Sequence, residues 1–268
     1  MSFAGQVVLI TGASTGIGAE LARHFARAGA RVALAARDEA RLQAVAGECR
    51  AAGAIALVVP TDVTIEAQCA HAVAATVEHF GRLDVLVNNA GMSMSGLFEE
   101  TTDLSIFEKL MRLNFLGSVW CTAFALPHLR QARGRVVAIS SLTGLAGVPR
   151  RSAYAASKHA VAGFFDSLRI ELEDSGVSVT VIYPGFVFSE INARAYAPDG
   201  TAYGDRAYTR RPGETMETAE CCRLILGAVT RRDRELVMTW RGKIGRLLKV
   251  IWPRLVDRIA KQAIQFKQ

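Results

Sequence analysis

Long apolar runs are missing from this chain: none approaches the roughly 18 residues that a membrane-crossing helix needs. Also missing is a basic N-terminal stretch followed by an apolar core. The chain instead runs directly into Val7-Val8-Leu9-Ile10, so no secretory signal is predicted. Cysteine is scarce and odd in number. Cys49, Cys69, Cys121, Cys221 and Cys222 contain no C-x-x-C spacing, which argues against a disulfide framework and against a cysteine metal centre. They are predicted to be small buried residues of a cytoplasmic, reducing setting. The adjacent pair Cys221-Cys222 would be redox-active only in an exposed, electropositive surrounding. His24, His71, His79, His128 and His159 have no ligand spacing, so no metal site is predicted. Repeats and low-complexity tracts are absent as well.

What is present is a chain of 268 residues, half of them apolar, enough for one well-buried domain. Its net charge is +7, and that charge is unevenly placed. Residues 241–268 hold eight Lys or Arg (Arg241, Lys243, Arg246, Lys249, Arg254, Arg258, Lys261, Lys267) against the single acid Asp257. The preceding 240 residues are formally neutral, so the high isoelectric point is no argument for nucleic-acid binding by the body of the protein.

Short runs of Val, Ile and Leu alternate with longer helical patterns. Strands are predicted at 7–11, 31–36, 54–59, 83–88, 134–140, 177–183 and 235–239. Helices are predicted at 17–29, 39–52, 65–80, 103–131, 152–174 and 217–230, with Gly29, Gly53, Gly81, Gly134 and Gly176 as stop signals. Strict alternation specifies an α/β fold: a Rossmann-like, three-layer, doubly wound parallel sheet of about seven strands. Ligands of such sheets bind at the carboxyl ends of the strands. The reading gives one dinucleotide-binding and catalytic domain over 1–240, with a lid or substrate loop at about 189–215.

Tyr154 and Lys158 stand four residues apart in a predicted helix, hence on one face. A phenol titrates near 10, and a neighbouring cation favours the phenolate, so the pair suits proton transfer. The first strand ends in Thr11-Gly12-Ala13-Ser14-Thr15-Gly16-Ile17-Gly18, a turn that lets a pyrophosphate approach a helix N-terminus. Its G-x-x-x-G-x-G spacing differs from the G-x-G-x-x-G fingerprint.

These elements, with Asn88-Asn89-Ala90-Gly91, Asn114, Ser141 and Pro184-Gly185 in order over about 5–190, resemble the short-chain dehydrogenase/reductase family. The resemblance implies that Tyr154 exchanges a proton with a carbonyl or alcohol while a nicotinamide exchanges a hydride. It implies that Lys158 lowers the Tyr154 pKa and holds the nicotinamide ribose. Ser141 would steady the substrate oxygen, and Asn114 would hold a water linking Lys158 to solvent. Cofactor contacts are implied for Gly12, Ser14, Thr15, Gly16, Ile17 and Gly18; for Asp62 and Val63 at the adenine; and for Asn89, Ala90 and Gly91. They are implied also for Pro184, Gly185, Val187 and Ser189 around the carboxamide. At the end of the second strand Ala36 stands where an acid would bind a ribose, and Arg37 suits a 2′-phosphate, so NADP(H) is favoured over NAD(H). Asp38 is read as the cap of the next helix. Thr15 replaces a basic residue that often precedes the second glycine, which removes one phosphate contact.

The predicted substrate walls are Ser93–Phe98, Leu142–Arg151 and the lid. They carry Met92, Met94, Leu97, Phe98, Leu142, Leu145, Val148, Phe186, Phe188, Ile191, Tyr196 and Tyr203. That lining suits a lipophilic steroid-, retinoid- or fatty-acyl-like molecule. Arg194, Arg206, Arg210 and Arg211 keep a β-ketoacyl-carrier reductase as the alternative. A non-catalytic NADP-binding sensor or scaffold is the rival of another class. A homodimer or homotetramer is expected.

In the basic tail, 241–268, apolar Ile244, Leu247, Leu248, Ile251, Leu255, Val256 and Ile259 recur at helical spacing, with Pro253 predicted to break the pattern beside Trp252. Two readings stay open. One is peripheral membrane contact; the other is packing on the same subunit or a dimer partner, with the basic face in water.

Overall fold

The uninterrupted Val/Ile/Leu/Ala runs become strands buried on both faces. The computed structural model describes residues 3–188, 191, 193–204 and 215–265. Its strands are β1 (Val7–Thr11), β2 (Arg31–Ala36), β3 (Ala56–Pro60), β4 (Val85–Asn88), β5 (Arg135–Ile139), β6 (Ser178–Tyr183) and β7 (Glu235–Val237). They form one seven-stranded sheet in the order β3-β2-β1-β4-β5-β6-β7, and every pairing is parallel. The helices are α1 (Gly16–Arg27), α2 (Glu39–Ala51), α3 (Glu66–Phe80), α4 (Ser105–Leu110), α5 (Gly117–Ala132), α6 (Ser152–Glu171), α7 (Thr218–Arg231), α8 (Trp240–Ile251) and α9 (Pro253–Gln265).

Side chains alternate across a strand, so each strand feeds two cores. Val8, Ile10, Val32, Leu34, Val85 and Val87 join α1, α2 and α7 on one face. Val7, Leu9, Ala33, Ala35, Leu86 and Val136 join α3, α5 and α6 on the other. This is the three-layer arrangement expected of near-continuous apolar strands. The chain reverses its winding between β1 and β4, which opens the crevice where such folds bind ligands.

Three local expectations are corrected. The helix predicted over 103–131 is interrupted: α4 passes into a π-helical turn, Met111–Leu116, before α5. The helix predicted to 174 ends at Glu171, with a separate 3-10 turn at Glu173–Ser175. Gly134 is not the left-handed stop of its helix. Arg133 takes that conformation (φ 47°), and Gly134 is needed for room: a Cβ there would lie 2.5 Å from the Asp84 carbonyl oxygen. Gly29, Gly53, Gly81 and Gly176 are left-handed as predicted. The tail breaks at Trp252–Pro253, as proline requires.

Candidate active site

The carboxyl ends of β1, β4, β5 and β6 bring the predicted residues to one edge of the sheet. At the end of β1, Gly16 has φ 56° and Gly12 φ 65°, which the missing side chains permit. A Cβ on Gly18 would lie 2.3 Å from the Gly12 carbonyl oxygen, so this glycine lets α1 lean onto the turn. Thr15 caps α1 with its backbone only, and the first turn of α1 has no acid. Its N–H groups are therefore left for an anion, which fits the pyrophosphate of a nicotinamide dinucleotide. The adjoining helix differs: Asp38 Oδ1 accepts the Arg41 N–H at 3.0 Å, so α2 carries its own cap as predicted.

Between these two helix starts lies an open cleft lined by Ser14, Thr15, Gly16, Arg23, Arg41 and Glu48, among others. Arg37, just beyond β2, is exposed. Arg41 was not among the predicted residues. Its position one turn inside α2, three residues after the cap, is the signal that would have found it. Its guanidinium lies 3.3 Å from the Asp38 carboxylate.

The second strip of the site comes from β4. Asn89 donates its side-chain N–H to the carbonyls of Thr11 (2.9 Å) and Gly12 (3.2 Å). The Thr11 hydroxyl accepts the N–H groups of Asn89 and Ala90 at 3.0 and 3.1 Å. These bonds lock the β4 loop to the glycine turn, a bracing part that spacing alone did not predict for Asn89. Asp62 Oδ1 accepts both the N–H (2.9 Å) and the hydroxyl (2.8 Å) of Thr64, so half of its carboxylate holds its own loop. Val63 is buried, its carbonyl against Gly117.

Asn114 sits in the π-helical turn, where such turns often mark functional positions. Its side-chain N–H reaches Met92 O at 3.0 Å and the Ser157 hydroxyl at 2.8 Å, while its Oδ1 accepts the Met92 N–H at 2.8 Å. A Cβ on Gly91 would lie 3.0 Å from Asn114 Oδ1 and 3.4 Å from Lys158 Nζ. The absent side chain leaves space between these two groups. Ser157, wholly buried and three residues after Tyr154, is a further part not predicted.

On α6, Tyr154 and Lys158 share a face, with Nζ 5.8 Å from the phenol ring centre. Both are buried, and Lys158 Nζ donates to Ile139 O at 2.8 Å. Burial brings the ammonium down to about 8, because no carboxylate accompanies it. Burial also raises the Tyr154 phenol, opposed by the Ser141 hydroxyl, Arg151 and the Thr143 hydroxyl. In the protein alone, burial outweighs the two hydroxyls and Arg151, and the phenol stands above its ordinary value where a lowering was expected. Ser141 caps the turn Leu142–Gly144, its oxygen accepting the Thr143 N–H at 3.2 Å. Arg151, the end of the predicted wall Leu142–Arg151, donates its guanidinium N–H to Ser93 Oγ at 2.9 Å; it precedes α6 directly.

After β6, Pro184 O accepts the Leu142 N–H at 3.1 Å, joining this loop to that of Ser141. Gly185 is required because a Cβ would lie 2.9 Å from the Thr239 methyl. Phe186 O and Phe188 N bond Met216 at 2.8 and 3.1 Å. Val187 itself is bridged to Met216, so its own N–H and C=O face the other way. Ser189, Arg206, Arg210 and Arg211 lie outside the described residues.

Of the predicted walls, Met94 is fully buried and packs with Ile106, Leu110 and Tyr154 as core. Tyr196 bonds the Ser93–Ser95 strip through its backbone, and Gly96 bonds Arg150, so the walls are knitted together. Met92, Leu97, Leu142, Leu145 and Val148 remain half-buried. All five cysteines are free and buried. Burial pushes the Cys221 thiol up to about 12, which removes the basis for a redox-active pair. Among the described residues no cluster of His, Cys, Asp or Glu is placed to hold a metal ion.

Residues 6–199 match the family model described as short chain dehydrogenase. The chain is 46% identical over 184 residues to 11-beta-hydroxysteroid dehydrogenase-like 4A of Arabidopsis thaliana, covering 68% of this chain and 61% of that protein. It therefore spans about three-fifths of that relative's length. It is 38% identical over 259 residues to 11-beta-hydroxysteroid dehydrogenase A of Arachis hypogaea, covering 95% of this chain and 74% of the relative. The structure is similar to a short chain dehydrogenase/reductase from Burkholderia phymatum in complex with NAD. The TM-score is 0.84 at 26% identity, over 95% of this chain and 96% of the other.

Proposed function

The chain belongs to the short chain dehydrogenase family, and from that premise we propose that it is an NADP(H)-dependent oxidoreductase that interconverts a ketone and a secondary alcohol on a lipophilic, steroid-like molecule. The observation that carries the reading is the buried Tyr154–Lys158 pair beside Ser141, at the edge of the sheet where the uncapped α1 turn receives an anion. A nicotinamide held at this edge would supply or accept the hydride. Ser141 holds the substrate oxygen and Tyr154 gives it a proton. Lys158, protonated below about pH 8, holds positive charge under the phenol as negative charge develops there. The raised Tyr154 pKa keeps the phenol protonated at neutral pH, the state that ketone reduction requires. Asn114, tied to Met92 and Ser157, keeps the space beside Lys158 in which a water can return the proton.

Three features support NADP(H). Ala36 ends β2 without a carboxylate, Asp38 spends its own on the α2 cap, and Arg41 lines the cleft by the glycine turn while Arg37 stands exposed just beyond β2. The second guanidinium offsets the absence of a basic residue at Thr15. A steroid-like substrate agrees with the half-buried apolar walls and with the names of the relatives.

Oxidation of NADPH and of NADH against a panel of ketosteroids tests the reading. Tyr154→Phe is expected to lower kcat at least ~1000-fold with NADPH binding retained. Arg37→Ala is expected to raise KM for NADPH about tenfold while leaving that for NADH little changed. Tight NADPH binding without turnover of any ketone would instead favour a non-catalytic sensor.

A further inference from the structure

Helix α8 is packed inside out. Gly242, Arg246 and Lys249 recur at helical spacing on one face, and that face lies on the body. A Cβ on Gly242 would sit 2.5 Å from Leu142 Cδ2; Arg246 pairs with Glu235; Lys249 Nζ donates to Leu145 O at 3.1 Å. The opposite face carries Trp240, Ile244, Leu247 and Ile251, again at helical spacing. Leu247 is 65% exposed, Val250 84%, Ile251 78% and Trp252 63%. On α9, Leu255 and Val256 are half-buried and Ile259 is exposed. None of these residues belongs to a core cluster. An amphipathic helix that only packed on its own subunit would show the reverse.

We propose that the outward face of α8 and α9 docks on an anionic lipid surface. Charge decides between a lipid surface and a second copy of the chain as occupant. Apart from Arg246 and Lys249, which are turned to the body, the described part of the segment carries Arg241, Lys243, Arg254, Arg258 and Lys261 against Asp257 alone. Two copies meeting through this face would oppose like charges. An anionic headgroup layer accepts the basic rim while the apolar stripe and the two tryptophans enter the interface. No helix among the described residues is long and apolar enough to cross a membrane, so the contact lies in the surface plane. Leu142, the residue after Ser141, and Leu145, one short turn further on, seat α8, so a docked chain carries that loop close to the lipid.

The experiment needs neither substrate nor turnover. Full-length chain is sedimented with vesicles of phosphatidylcholine alone or with about one-third phosphatidylserine. The proposal expects roughly tenfold or greater preference for the anionic vesicles, a similar loss in 0.5 M salt, and a blue shift of tryptophan emission on binding. Leu247→Asp/Ile251→Asp alters only exposed side chains and is expected to abolish sedimentation while circular dichroism is unchanged. Three outcomes would overturn the proposal. They are a chain that stays in the supernatant, a double variant that binds like the wild type, and a wild-type dimer in light scattering that the double variant splits.

Discussion

Lys158 is costly in the free protein. Its ammonium is buried with one carbonyl for company and titrates near 8 instead of near 10.5, a displacement of about 3 kcal/mol against the charged form. Between about pH 8 and pH 10.5 the unfolded chain binds a proton that the folded chain does not, so stability rises with pH across that window. Below pH 8 the full cost remains. Lys158→Met keeps the apolar stem and removes the charge. We therefore expect the variant to be inactive yet about 2–3 kcal/mol more stable than wild type at pH 7 in urea denaturation, with the gain vanishing toward pH 10.5. A variant less stable than wild type at pH 7 would mean that the Ile139 bond outweighs desolvation. Residue identities of this kind were legible from the sequence: Tyr154 and Lys158 share a face as their spacing implied, and Ser141 stands beside them as the resemblance implied. Their titration was not legible, because burial depends on Met94, Ile106, Ile139 and other residues distant in the chain.

At the scale of elements, the strands were legible nearly to the residue, since β1, β2, β4, β5 and β6 are near-continuous apolar runs buried on both faces. The π-helical turn was not. Met111–Leu116 reads as ordinary helix, and the bonds that tie Asn114 in this turn to Met92 and Ser157 join residues 22 and 43 positions apart. The part of Asn89 was hidden for the same reason: its partners Thr11 and Gly12 are 78 and 77 residues away. The joint these bonds hold depends on Gly18. A methyl group there would fall 2.3 Å from the Gly12 carbonyl oxygen and 2.5 Å from Asn89 Nδ2, and a backbone oxygen cannot swing aside. Gly18→Ala should therefore shift α1 away from the turn, at a cost of about 2 kcal/mol or more. Calorimetric titration with NADPH should show at least tenfold weaker binding, with the loss spread equally over NADH. A loss confined to NADPH would place the damage at the 2′-phosphate instead of the pyrophosphate turn.

At the scale of the whole molecule, charge and packing divide the chain at the same place. The first 240 residues are formally neutral and contain the two main cores, whereas the remainder carries the entire +7 and, in α8, no buried residue. Amphipathic spacing in the tail was legible; which face meets the body was not, because it turns on Leu142, Leu145 and Glu235. Stability should be divided likewise. Amides of β1, β4 and β5 can exchange only through opening of both cores, while those of α8 and α9 need only local opening. Hydrogen exchange of the full-length chain at low concentration should show the tail helices exchanging at least ~100-fold faster than the central strands. Anionic vesicles should slow the tail alone, because the lipid covers no strand. Protection of α8 equal to that of β1 without vesicles would mean that its apolar face is already covered in solution, and the lipid surface would lose its claim to be the occupant.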